Sequence, residues 1–481
     1  MNHVSSLLYL FLSLFLLRCA PPAELPEASP DGPSENIIVF LVDDLGWTDL
    51  SGYGSDLYET PNIDRLAQQG VKFTNAYSAC TVCSPTRAAM MTGKYPARLH
   101  LTDWIAGREN EYGKLRVPDW TKYLPTQEVT LAELAKEAHY ATASIGKWHL
   151  GDDSIYYPQY QGFDVNVAGY KRGQPPSYFY PYVRGQNALP YLEGGHEGEY
   201  LTDRLTQEAC RFIRQHARDP FFLYFPHYAV HTPIQAQDSV TEYYRTKVKP
   251  GMQHFNPEYA AMIHSTDKSM GRLLQLLDSL SLSERTTIIF ASDNGGRSFQ
   301  GKITNNAPLR AGKGSAYEGG VRVPMIIKRP RNPWPGAVID EPVITMDAFA
   351  TVADLMTSPT QPLPDYQDGV SLRNILEDTT ATLDRDALFW HYPHYHSGGA
   401  RPYSAIRQGS FKLIEFLEDN HLELYDLDED IGETTNLMEA LPEVANELYD
   451  RLAAWRNEVG AQMPTANPAY DSLRAQDYFS L

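Results

Sequence analysis

The sequence predicts an α/β fold with a large, mainly parallel sheet flanked by helices, followed by a smaller C-terminal α+β region carrying an antiparallel sheet. Apolar, β-branched runs alternate with capped helical segments as far as about residue 363, and beyond that shorter strand-like pieces are closed by one helix. The early runs also end in polar residues, and an open parallel sheet presents its ligands beyond its carboxyl strand ends.

NIIVFLVDD (36–44) is a buried strand ending in two acids. TPNIDRLAQQG follows, with Thr60 as N-cap, Pro61 in the first turn and Gly70 as the stop of a short helix. VKFTNAYS reads as a strand. Thr130 and Glu133 have capping-box spacing, so TLAELAKEAHY opens a helix that leads into the strand TASIG. A helix over 202–216, the strand FFLYF (221–225), a long helix within 257–282 and the strands TTIIFAS (286–292) and VRVPMIIK (321–328) continue the alternation. SAIRQGSFKLIEFLE, HLELYDL and the helical PEVANELYDRLAAWRNEVG make up the second region. The expected division is 1–19 signal peptide, 20–34 linker, 35–363 catalytic domain and 364–481 C-terminal subdomain.

LLYLFLSLFLL (7–17) is too short to span a bilayer and suits the apolar core of an export signal. Cys19 follows it as in a bacterial lipoprotein, although MNHV has no Lys or Arg and Arg18 stands where a small residue is preferred. The expected location is therefore the periplasm or cell surface, with either a lipid tether at Cys19 or a cleaved signal that discards it. No internal run reaches the length of a membrane span. The formal charge of −19 argues against a nucleic-acid partner, whose binding needs clustered Lys and Arg. It leaves room for a local basic pocket.

Asp43-Asp44 and Asp293-Asn294 end two strands, offering hard oxygen ligands suited to calcium or magnesium. Either pair alone is equally a turn or a cap. Lys147 and His149 in GKWHLG, His231 in HTP and Lys313 in the glycine-rich LRAGKGSAYEGG also follow strands or lie in loops that let backbone approach a ligand. A lone loop histidine or lysine is ordinarily structural or solvated. Several of them placed after strands are harder to dismiss.

CTVCSPTR (80–87) contains two of the four cysteines, and Cys83 falls just before or at a helix N-terminus, where anionic groups are favoured. A redox C-x-x-C opens a thioredoxin-like βαβ unit, unlike these flanks, and a zinc half-site needs a second pair, which isolated Cys19 and Cys210 do not provide. CSPTRAAMMTGKYPAR resembles the signature of type I sulfatases, members of the alkaline phosphatase superfamily. VDDLGW, ETPNIDRLAQQGVKFTNAY, GKWHLG, SDNGG, PLRAGKGSAYEGGVRVP and YDLDEDIGETTNL have sulfatase-like counterparts in the same order, over roughly 36–470.

The resemblance implies an alkaline phosphatase-like fold and a sulfuric ester hydrolase. It implies that a maturation enzyme converts Cys83 to formylglycine, and that Asp43, Asp44, Asp293 and Asn294 hold one calcium ion together with residue 83. Arg87, Lys147, His149, His231 and Lys313 match the family's basic active-site residues. Thr86 departs from the commoner Ser or Ala but keeps a hydroxyl. Cys80 is then a small buried hydrophobe, or pairs with Cys210.

FWHYPHYHSGGARPYSAIR (389–407) is dense in aromatic and basic residues, and His391, His394, His396 and Arg401 are the expected substrate contacts on a sulfated carbohydrate. An interface between the two regions accounts equally well for that composition. Two rival readings are a phosphate or phosphonate ester hydrolase of the same superfamily and a silent binder of sulfated glycans. Cys83 and the calcium-type ligands weigh against the first. The full basic set weighs against the second.

Overall fold

The computed structural model describes residues 35–298, 302–356 and 367–480. The expected signal, the linker and Cys19 lie outside the described residues, and so does the expected boundary at 363/364. Glu35–Leu481 forms one compact unit. No described helix is long and apolar enough to cross a membrane.

The large sheet contains β1 (Asn36–Val42), β2 (Val71–Phe73), β3 (Ala141–Ile145), β4 (Val165–Val167), β5 (Phe221–Pro226), β6 (Thr286–Ser292), β7 (Met325–Lys328) and β8 (Ala337–Ile339). Their spatial order is β8-β2-β7-β6-β1-β5-β3-β4. β1 lies parallel between β6 and β5, and every residue of β1 is buried, as an unbroken apolar run in a central strand requires. β7 runs antiparallel to both of its neighbours. It begins at Met325, later than the expected 321, because Glu318–Val321 forms a helical turn instead.

Helices α1 (Pro61–Gln69), α2 (Cys83–Thr92), α3 (Leu131–Glu137), α4 (Leu201–Gln215) and α5 (Pro257–Ser279) belong to this layer system. Thr130 and Glu133 form the reciprocal capping box of α3. At α1, Thr60 precedes the helix, but its hydroxyl bonds Ser51 and Asp64 rather than capping the first turn. VKFTNAYS is not one strand: β2 is followed by a separate two-residue pairing, Ala76–Tyr77 with Val343–Ile344.

The C-terminal sheet is a meander of β9 (Ala387–Tyr392), β10 (Tyr403–Gln408), β11 (Phe411–Phe416) and β12 (His421–Asp426), antiparallel throughout. Helix α6 (Pro442–Glu458) packs on it through Leu448, Leu452 and Trp455, within a core that also holds Tyr77, Val82 and Tyr95 from the first region. The two sheets are thus joined by a shared apolar layer. A final helix, α7 (Ser472–Asp477), carries the chain back toward residue 108, where the Tyr478 hydroxyl donates to the Arg108 carbonyl at 3.0 Å.

Candidate active site

Strand register assembles the site. Val42 stands opposite Ser292, so Asp43-Asp44 and Asp293-Asn294 leave the sheet side by side, all four buried. The Asp44 amide donates to Asp293 Oδ1 at 3.2 Å and Asn294 Nδ2 donates to Asp44 Oδ1 at 2.8 Å. Leu41 pairs with Pro226, which brings the loop after β5 alongside, with His231 Nε2 3.6 Å from Asp44 Oδ2. Lys147 follows β3 and donates to Asp43 Oδ2 at 2.7 Å. Gly146 must be glycine here: its φ is 126° and a Cβ would fall 1.9 Å from the Pro226 carbonyl oxygen.

Cys83 is the first residue of α2, one turn before Arg87 on the same buried face. Arg87 Nε donates to Asp293 Oδ2 at 2.8 Å and Nη1 to the Lys147 carbonyl at 2.9 Å, tying the helix to two strand ends. Thr86 does a different job. Its hydroxyl accepts from the Cys80 amide and lies 3.1 Å and 3.2 Å from the Cys80 and Val82 carbonyls, fixing the turn that delivers Cys83. Cys83 Sγ is 3.4 Å from His149 Nδ1, while His149 Nε2 makes a short contact with the Ile105 carbonyl. A carbonyl only accepts, so Nε2 carries the proton and Nδ1 turns a lone pair toward residue 83. Ser84 holds this arrangement by donating to the His149 carbonyl and accepting from the Ile105 amide.

Burial, reinforced by Lys147, holds the His149 pKa well below the ordinary histidine value. Its ring is neutral and able to take a proton. Burial pushes Asp43 up to about 6, although Lys147 opposes this, and burial with the neighbouring Asp43 raises Asp293. For Asp44, burial works against ionisation but Lys313 and His231 outweigh it and hold the carboxyl low. Asp43 Oδ1, Asp44 Oδ2 and Asn294 Oδ1 are buried without a hydrogen-bond partner. Single atoms of Asp43, Asp44 and His231 also lie within 4.8 Å of one another. Unpartnered oxygens on Asp43, Asp44 and Asn294, two carboxyls and an amide buried together, are the donor set a hard divalent cation satisfies. The residues fit the metal.

These groups open into a cavity of about 530 Å³ lined by Cys83, His149, His231, Lys313 and His396. His396 is thus the one expected carbohydrate contact that reaches the site, and Gly314 makes room for it, since a Cβ there would overlap the ring. The other three expected contacts do not line this cavity. His391 is buried with Nδ1 2.8 Å from Ser404 Oγ and Nε2 2.9 Å from the Gln462 carbonyl, so both nitrogens are used internally. His394 is buried with Nε2 2.8 Å from Thr102 Oγ1 and lines a separate, smaller cavity. Arg401 is exposed and paired with Glu418 at 3.2 Å.

The aromatic density of this stretch serves the junction instead. Trp390 Nε1 donates to the Ser78 carbonyl and Phe389 stacks on Trp455. His391→Ala is therefore expected to cost about 1–3 kcal/mol of stability through stranded partners, with kcat/KM retained. Thermal unfolding and sulfate release measured on one preparation check this. Cys80 and Cys210 are both buried free thiols, so the alternative of a disulfide between them falls away.

A hydrolase of anionic esters on an α/β sheet is the class these features define: acids and cations converge at the carboxyl ends of a mostly parallel sheet around a helix-terminal Cys83. The chain belongs to the sulfatase family, whose profile, described as Sulfatase, matches residues 35–358. The profile described as N-sulphoglucosamine sulphohydrolase, C-terminal, matches 312–458. A sulfatase of Formosa agariphila is 34% identical over 515 residues, covering 92% of each chain. An N-acetylgalactosamine-6-O-sulfatase of Bacteroides thetaiotaomicron is 29% identical, covering 94% of this chain and 99% of the other. Among solved structures, Ps i-CgsB in complex with k-i-k-neocarrahexaose matches with a TM-score of 0.74 and 27% identity, covering 92% of this chain and 97% of that one. The protein is a sulfuric ester hydrolase with the alkaline phosphatase-like fold.

Proposed function

We propose that the protein removes sulfate from a sulfated carbohydrate, an algal polysaccharide or glycosaminoglycan fragment, using formylglycine made from Cys83 and one calcium ion. The observation that carries the mechanism is His149, neutral and aimed through Nδ1 at residue 83. The carbohydrate reading rests on relatives and neighbours named for sugar sulfates or solved with a sugar.

A bound calcium ion, held by Asp43, Asp44, Asp293, Asn294 and residue 83, would neutralise charge on the ester. With formylglycine at residue 83, one hydroxyl of its hydrate would attack sulfur as the ester S–O bond breaks, and the proton that hydroxyl loses would pass to the leaving oxygen. Burial opposes charge on Lys313, but Asp44 outweighs it and raises the pKa, so Lys313 holds a proton on that side. Burial pushes His231 down to about 3, which leaves its ring to orient the leaving oxygen. His149 Nδ1 then removes the proton of the remaining hydroxyl, the C–O bond to sulfate breaks and the aldehyde returns. Arg87 holds the helix that presents residue 83. With a cation held by Asp43 and Asp44, Lys147 and Lys313 would be available to face sulfate oxygens.

Sulfate release across regiospecifically sulfated sugars, with mass spectrometry of residue 83 in the same sample, tests the reading. No release by a fully modified sample would overturn it. Chelation of calcium is expected to abolish turnover and lower the unfolding temperature, with both restored by added Ca2+. At a calcium concentration of about 100 Kd, linkage alone contributes roughly 2.7 kcal/mol to stability. We further propose that residues 1–19 direct export to the periplasm or cell surface, with either a lipid tether at Cys19 or a cleaved signal that discards it.

A further inference from the structure

The rim of the active-site cavity carries more positive charge than one sulfate needs. Beyond Lys313, it is lined by Arg108, Lys171, Arg172 and Arg297, against a single acid, Asp152. The chain has 60 acidic and 41 basic residues, so this is a local reversal of its charge balance.

These cations are placed by hydrogen bonds and packing. Gly173 packs on the catalytic ring so closely that a Cβ would fall 2.5 Å from His149 Cε1, which sets Lys171 and Arg172 beside the reacting centre. Arg172 Nη2 donates to Asn187 Oδ1 at 2.6 Å. Thr232 Oγ1, next to His231, lies 3.2 Å from Gln174 Oε1 and accepts from Arg297 Nη1 at 3.4 Å, so one threonine joins this loop to Arg297. Arg108 lies over the Tyr478 ring at 4.9 Å, so the last described turn of the chain orients it.

We propose that these cations form a second anion subsite, so that the preferred substrate carries another negative group, a sulfate or a uronate carboxylate, on the sugar adjoining the cleaved ester. This rests on the sulfate ester reading and names the substrate class within it. Guanidinium groups suit such oxyanions because they donate in a fixed fork. Anions on the glycan that would be repelled by the protein's overall charge are drawn to this mouth.

The test compares wild type with Arg172→Ala, Lys171→Ala and Arg297→Ala on three sugars: a monosulfated neutral disaccharide, its disulfated counterpart, and a monosulfated disaccharide containing a uronate. Wild type is expected to prefer one or both doubly anionic sugars, and which one identifies the second group. Arg172→Ala combined with Lys171→Ala should cut the ratio of kcat/KM, doubly anionic over monosulfated, by about tenfold or more, with partial rescue by Arg172→Lys. The wild-type preference should shrink as salt is raised. Equal kcat/KM on all three sugars, or variants that lose activity on all of them in proportion, would overturn the subsite. Wild type active on the monosulfated sugar without preference sinks only this inference. A fully modified enzyme inert on every sulfate ester sinks the function itself.

Discussion

Cys83→Ser, produced in a host whose maturation enzyme accepts only cysteine, is expected to lose turnover by on the order of 10³-fold or more, the scale seen when an enzyme loses its nucleophile. A single hydroxyl attacks and leaves the residue sulfated, but it has no second hydroxyl from which His149 can remove a proton. His149→Ala in the fully modified enzyme interrupts the same step from the other side. It should show a burst of alcohol release followed by a stall, with residue 83 carrying an added SO3 by mass spectrometry. Near-wild-type sulfate release by the serine variant would refute the two-hydroxyl mechanism. Steady turnover of the alanine variant without the adduct would remove His149 as the base. The neutral, outward-facing Nδ1 makes the second outcome informative, because the protonated Nε2 is turned away toward the Ile105 carbonyl.

Much of this site is legible in the sequence because strand-end chemistry is local. Asp43 and Asp44 close an apolar run, Asp293 and Asn294 close another, and the α/β pattern alone says that such ends converge. Cys83 is legible through its motif and its place at a helix start. Three other features leave no such trace. The Ile105 oxygen that sets the His149 tautomer is backbone, which any residue could supply. Arg172 and Arg297 look like any solvated cation until the fold sets them on one rim. Tyr478, near the chain end, closes on Arg108 only through long-range contacts. The histidine-rich stretch misleads for a related reason. A polar side chain on a buried strand face is the same letter whether it meets a ligand or, like His391, a serine and a carbonyl.

Lys412→Met is expected to be the most destabilising substitution away from the reacting centre. Lys412 lies on β11 with no solvent exposure and donates to Glu318 Oε1 and Glu433 Oε1, both at 2.9 Å. Glu318 opens the helical turn before β7 and also accepts from the Tyr77 hydroxyl at 2.7 Å, with Arg322 at 3.3 Å. One buried ammonium thus ties the C-terminal sheet to the loop that carries Lys313. Removing it strands two buried carboxylates, a loss of about 3–5 kcal/mol.

The pH dependence gives the mechanism its own readout. Burial, with Glu318 adding to it against Lys412, pushes Glu433 up to about 7. A raised carboxyl contributes stability below its unfolded value that is lost as pH rises through about 7. For Glu318, burial opposes ionisation, but Lys412 and Arg322 outweigh it and bring the pKa down to about 2, so its contribution is present near neutrality and lost only in strong acid. Without Lys412 both pKa values rise, and the penalty of Lys412→Met grows with pH. Denaturant unfolding should show a larger loss at about pH 8 than at about pH 5. Adding Glu318→Gln and Glu433→Gln should recover part of it, because the stranded charges are gone. An equal loss at both pH values would mean that the methionine fails through packing, and that the ammonium is not what holds the two sheets together.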